Sequence, residues 1–217
     1  MNSSIVDTKE VLFDEICEFL ECAIHNILYI RQVYPSNLFK KVKIYNVPVF
    51  KARHPALVQY IKNILESVKP LFTKSLVDKL CLVICKDYKE RQPLEQYSFS
   101  LKLFKDYQPC TRASLETFLR SFLLKINIAD SSFEPIPVES EGKPTPVSFY
   151  ILVHTSGDLD SQAQRSLQAE LENPWVSADF EEKELFKNAE VVPFKTISTQ
   201  SFQLQLNVEQ ISAGKDK

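Results

Sequence analysis

The chain has 217 residues, 44% of them hydrophobic and 25% charged, and a formal net charge of −2. That length suits one compact domain, and the slight acidity excludes a protein whose main task is neutralising phosphates, which needs a surplus of Lys and Arg on one face. Cys17, Cys22, Cys81, Cys85 and Cys110 are odd in number and lie mostly in apolar surroundings, the pattern of reduced core thiols rather than of a disulfide framework.

Apolar periodicity predicts a first helix that starts at Asp7, capped by its side chain with Glu10 answering three positions on, and stops at Pro35. Phe13, Ile16, Leu20, Ala23, Ile24, Ile27 and Ile30 recur at helical spacing, leaving a narrow polar stripe of Asp14, Glu18, Glu21, His25 and Gln32. The acidic residues of that helix, and the lack of a basic start with a small-residue cleavage site, argue against a signal peptide or a membrane span. A soluble, intracellular protein is the expectation.

A short strand is predicted over 42–47. Pro55, placed where a helix tolerates proline best, opens a second helix with Leu57, Ile61, Ile64, Leu65 and Val68 on one face and Pro70 just past its end. The continuous apolar run 80–85 reads as a central strand covered on both sides. A polar connector over 86–93 leads to alternating Tyr97, Phe99, Leu101 and Leu103, so the two strands should form a hairpin. Thr111 opens a third helix that faces Leu115, Phe118, Leu119, Phe122, Leu123 and Ile126 inward. Prolines mark a loop over 131–146, and 147–154 is another apolar strand. The long polar stretch 158–188 carries the lone tryptophan, Trp175; because strand-like runs over 191–197 and 202–208 follow, it reads as a crossing segment that returns to the sheet.

Catalytic chemistry finds little support. Gly142, Gly157 and Gly214 are too dispersed to build a phosphate-cradling loop. Cys81 and Cys85, four apart on a strand, stand about 13 Å apart at the usual rise of ~3.3 Å per residue, too far to share a zinc ion. His25, His54 and His154 lack paired nucleophiles and read as structural, and Cys110 and Asp106 are no stronger. Lys40, Lys41, Lys43, Lys51 and Arg53 could touch a phosphate backbone, although a solvated loop is the favoured reading. Trp175, within NPWVSAD, must either anchor its segment to the body or cover a bound partner.

A helix ending ILYIRQVYP, a strand YNVPVF, RHPALVQYI, the strand LCLVIC, a helix FLRSFLLKI, the strand FYILVHT, then NPWVSAD and PFKTISTQSFQLQLNVE follow in an order that resembles the HORMA domain over residues 15–209. Within that family the similarity is to the non-catalytic accessory subunits of translesion DNA polymerase zeta. The resemblance implies an α+β fold, three main helices packed on a mostly antiparallel sheet. It implies a HORMA domain over 7–210, with a core over 7–157, a carboxy-terminal seatbelt over 158–210, and a flexible tail over 211–217. Such a belt wraps an extended partner peptide, whose main-chain hydrogen bonds give affinity while side-chain pockets give selection.

The implied partner is a proline-containing segment of the polymerase zeta catalytic subunit, clamped by Tyr60 and Trp175, with Tyr34 and Phe149 as further pocket walls. Arg120 and Lys125 would lie on a face for pairing with a second HORMA protein, in a homodimer or heterodimer. Val191, Gln205 and Asn207 would meet the carboxy-terminal domain of the deoxycytidyl transferase of the same pathway, where the family favours an aromatic at the position of Asn207. An AAA-type remodelling ATPase is a further implied partner. No catalysis, cofactor, metal, sequence-specific nucleic acid or membrane is expected, and the nucleus, with the cytoplasm as a second compartment, is the implied location. The alternative is a checkpoint-type HORMA protein that switches between open and closed belts.

Overall fold

Thr8, rather than Asp7, caps the first helix: its side chain accepts from the Val11 N–H at 3.3 Å, and α1 runs Lys9–Ile30. This computed structural model describes residues 5–86, 91–104, 107–128, 133, 136, 146–155, 175, 186 and 189–211. The predicted loop over 131–146 and the crossing segment over 158–188 therefore lie mostly outside the described residues, as do Asp106 and the end of the tail. The helix ends several residues before Pro35 because Gln32 takes a left-handed φ of 52° and turns the chain away.

The predicted strand over 42–47 is instead a hairpin, β2 (Phe39–Ile44) with β3 (Val47–Ala52). Its two turn residues, Tyr45 and Asn46, have φ of 45° and 65°, the twist that two-residue hairpins require; with no glycine there, the turn was hidden in the sequence. Helix α2 (Pro55–Thr73) begins with Pro55 as expected but runs on through Pro70. Leu71 and Phe72 beyond it are buried, and Phe72 stacks on Phe13 with ring centres 5.9 Å apart, so packing holds the last turn despite the lost N–H.

Strands β4 (Val77–Lys86) and β5 (Gln92–Leu103) form the expected antiparallel hairpin. A two-residue pair, β1 (Ile5–Val6) with β6 (Cys110–Thr111), ties the first residues to the start of α3 (Arg112–Asn127), whose cap is the predicted Thr111. Strands β7 (Val147–Thr155), β8 (Glu190–Ser198) and β9 (Phe202–Gln210) complete, among the described residues, an antiparallel sheet in the order β7-β4-β5-β9-β8.

The helices cover one face of this sheet. There Leu80, Leu82 and Ile84 of β4, Tyr97, Phe99 and Leu101 of β5, and Leu204, Leu206 and Val208 of β9 meet α1, which is buried along most of its length. The opposite face holds a smaller cluster, Cys81, Val83 and Cys85 with Tyr150 and Phe186. Alternation along β4 thus places both cysteines on this second face, as buried side chains beside Val83. The cysteines form no disulfides, and burial pushes the thiols of Cys17 and Cys22 up to about 12 and about 11, which keeps them protonated and unreactive.

His25, assigned above to the polar stripe, is fully buried, as is Asn26 beside it. The hairpin β2–β3 and helix α3 cover that side of α1. Asn26 makes the contact explicit, accepting from the Phe50 N–H at 3.0 Å and donating to Asn127 Oδ1 at 2.7 Å.

Candidate functional site

Strand β7 is an edge of the sheet, and among the described residues nothing pairs with its outer side. An edge strand presents a row of backbone N–H and C=O groups that can template another strand. Proteins commonly blunt such edges with prolines or inward charges. Between Val147 and Thr155 the strand has neither: its sequence, VSFYILVHT, puts Val147, Phe149, Ile151 and Val153 on one face and Tyr150 and Leu152, between Ser148 and His154, on the other.

Three of the four residues expected to wall a peptide pocket converge on this edge. Phe149 stands at the centre, its ring centre 6.1 Å from that of Tyr34 and 5.8 Å from that of Tyr60, both in edge-on geometry. Tyr34 arrives from the segment after α1, and Tyr60 from the first turns of α2, where its side chain is 45% exposed. Together with Leu38, Leu57 and neighbouring groups they line a groove of about 550 Å³. A second depression of about 780 Å³ shares Tyr34 and extends along Pro146 and Val147. Between them their linings include β7 from Val147 to Tyr150. Burial raises the Tyr34 hydroxyl above its ordinary range, with the neighbouring Tyr60 adding to the shift, so the Tyr34 phenol stays a neutral hydrogen-bonding group at physiological pH.

Trp175, the fourth expected residue, is half-buried and packs against the helix-side core. Phe186, from the same connection between β7 and β8, packs against the opposite face beside Tyr150 and Cys85. One connecting segment therefore has an aromatic anchor on each side of the sheet. It also links the two outermost strands, a distance of about 19 Å across five strands at ~4.8 Å spacing. The sequence does not reveal Phe186, because a single phenylalanine in a polar stretch gives no periodic signal.

The other expected surfaces are distinct from this groove. On α3, Arg120 is exposed, whereas the Lys125 ammonium lies 5.1 Å from the centre of the Phe194 ring on β8. Five residues apart at about 100° each, the two point roughly 140° away from one another. Val191, Gln205 and Asn207 share the sheet face away from the helices, with Gln205 Nε2 donating to Asn207 Oδ1 at 3.0 Å and Val191 56% exposed. Among the described residues no cluster of His, Cys, Asp and Glu could hold a metal ion, and no helix is long and apolar enough to cross a membrane.

The HORMA domain family matches residues 15–143. Among curated proteins, the chain is 35% identical to the mitotic spindle assembly checkpoint protein MAD2B of Homo sapiens over 204 residues, covering 93% of this chain and 92% of that one. It is 28% identical to the DNA polymerase zeta processivity subunit of Arabidopsis thaliana, covering 89% and 83%, and 27% identical to DNA polymerase zeta subunit 2 of Drosophila melanogaster, covering 77% and 81%. Its fold matches a chain of the crystal structure of the mitotic checkpoint complex with a TM-score of 0.71 at 19% identity, covering 92% and 98%. It matches Caenorhabditis elegans HTP-2 bound to a HIM-3 closure motif equally well, at 10% identity, covering 95% and 93%. This chain belongs to the HORMA domain family.

Proposed function

We propose that this chain is a non-catalytic adaptor subunit of the DNA polymerase zeta type, acting in translesion synthesis in the nucleus. It clamps an extended, proline-containing segment of the polymerase's catalytic subunit. The segment adds as a strand to the open edge of β7 and seats an apolar side chain or proline among Tyr34, Tyr60 and Phe149. The observation that carries this reading is the pair of anchors on either side of the sheet. With Trp175 on the helix side and Phe186 on the other, a strand added at β7 lies within reach of a connection held on both faces. Main-chain hydrogen bonds then supply sequence-tolerant affinity, and the pocket supplies selection. The names of the plant and insect relatives support the choice of polymerase.

The exposed sheet face around Val191, Gln205 and Asn207 serves, on this reading, as the contact for the deoxycytidyl transferase. Arg120 of α3 serves pairing with another HORMA protein, and an AAA-type ATPase resets the belt. A second reading, a checkpoint-type switch, draws on the name of the relatives at 35% identity. Copurification separates the two: the first predicts the polymerase catalytic subunit as the retained protein, the second a spindle-checkpoint component. Within the first, Tyr60→Ala and Trp175→Ala each lose more than ~1 kcal/mol of capture, since truncating a buried aromatic anchor has that cost at interfaces. Retention of the catalytic subunit by both variants at the level of the parent chain removes the clamp.

A further inference from the structure

The groove at β7 is apolar in its floor and cationic on its rim. Arg91 and His54 both line it and both are exposed, and among the described residues none that forms it is acidic. The guanidinium carbon of Arg91 lies 5.8 Å from the centre of the Tyr150 ring, which steadies the side chain beside the edge of β7. Its backbone φ is 50°, a left-handed conformation that is unfavourable for a residue with a Cβ and is more often met at functional positions. Arg53, next to His54, continues the rim, its N–H donating at 2.7 Å to the carbonyl of Leu38 in the groove wall.

Beyond Arg53 the adjoining end of the hairpin carries Lys40 and Lys41, both exposed. Lys40 sits directly across from Lys51 in the register, a like-charge pairing that is unfavourable unless an anion intervenes. Lys51 has Glu21 at 2.6 Å; among the described residues no carboxylate is paired with Lys40, Arg53 or Arg91. In a chain of net charge −2, this positive rim is a local arrangement and does not follow from composition.

We propose that the segment held at β7 carries an aspartate or glutamate beside its apolar anchor, with the carboxylate set against Arg91 and His54. This rests on the capture reading above and adds a charge requirement to it. An extended chain can add to a strand edge in several registers, because main-chain hydrogen bonds do not distinguish them. A carboxylate met by the fork of an arginine at one end of the groove fixes the register and disfavours basic segments.

The test uses the full-length chain and an equimolar mixture of two synthetic peptides with the same leucine- and proline-containing centre, one flanked by glutamates and the other by lysines. The retained fraction is read by mass spectrometry. The acidic peptide is enriched about tenfold at low salt, a preference that shrinks at high salt and reverses in Arg91→Glu. Arg91→Gln, which keeps the side-chain bulk, lowers the enrichment without changing the melting temperature. Equal retention of both peptides, or a preference for the acidic one that survives in Arg91→Glu, overturns the proposal while leaving capture intact. Retention of neither overturns capture and this proposal with it. Displacement of the acidic peptide by oligothymidylate, lost in Arg91→Glu, overturns it in favour of a nucleic-acid surface.

Discussion

Arg31, the residue that closes α1, donates Nε to Glu95 Oε2 on β5 at 2.9 Å, and both residues are buried. Glu95 also accepts from the Tyr97 hydroxyl at 3.0 Å and from Gln210 Nε2 at 3.1 Å. One carboxylate thus joins the first helix to the final strand. Removing one member of a buried pair strands the other charge, so Arg31→Ala is expected to cost about 3–5 kcal/mol in urea unfolding. Replacing both, Arg31→Met with Glu95→Leu, costs markedly less, about 2 kcal/mol or under. A double variant as unstable as the single one contradicts this account.

Asn26 gives a second stability prediction. Asn26→Ala removes the buried acceptor of the Phe50 N–H and the donor to Asn127 Oδ1, which costs about 1–3 kcal/mol. Hydrogen exchange at Phe50 should quicken more than at neighbouring sites of β3. An unchanged rate there means that another acceptor replaces Asn26.

This same stretch shows where reading the sequence succeeds and where it stops. Runs governed by local chemistry were legible: Thr111 as a cap, Pro55 at a helix start, the apolar strand through Leu82 and the alternation through Phe99. The burial of His25 and Asn26 was not, because a helical wheel identifies a polar stripe but not a hairpin and a third helix that come to cover it. Nor was the continuation of α2 past Pro70, which Phe13 secures from a distant part of the chain. At the groove, Tyr34, Tyr60 and Phe149 were reached through family resemblance. Arg91 lies in a polar connector and carries no signal in the sequence, since its relation to Tyr150 exists only once β5 and β7 are placed.

Acid sensitivity should centre on Glu21. His25 Nε2 stands 3.8 Å from its carboxylate and Lys51 Nζ 2.6 Å, and these neighbours hold the carboxyl down to about 2 from an ordinary 4.5. A depressed folded-state value stabilises the native chain above pH 4.5, and that contribution is lost as pH falls toward about 2. Glu21→Gln is therefore less stable than the parent chain at neutral pH by about 1–2 kcal/mol, and the two converge near pH 2. Parallel stability curves for the two proteins across that window would refute the assignment.

Val191 should separate stability from partnership. At 56% exposure, Val191→Arg stays within about 0.5 kcal/mol of the parent in thermal unfolding, yet it weakens binding of the transferase's carboxy-terminal domain about tenfold. Asn207→Tyr, which supplies an aromatic to the same face, strengthens it. Calorimetric titration in which neither substitution alters the affinity rejects this surface.

The arrangement of β9 has a kinetic consequence. Its residues pair with β5 on one flank and β8 on the other, and Ile211 continues the attachment with a hydrogen bond to the Leu94 carbonyl. A ribbon stitched along both margins cannot peel away one contact at a time without exposing the apolar side chains beneath it. On the proposed capture reading, exchange of cargo is a rare, activated event, and the lifetime of a complex, more than its equilibrium strength, decides how long this chain commits to a single assembly.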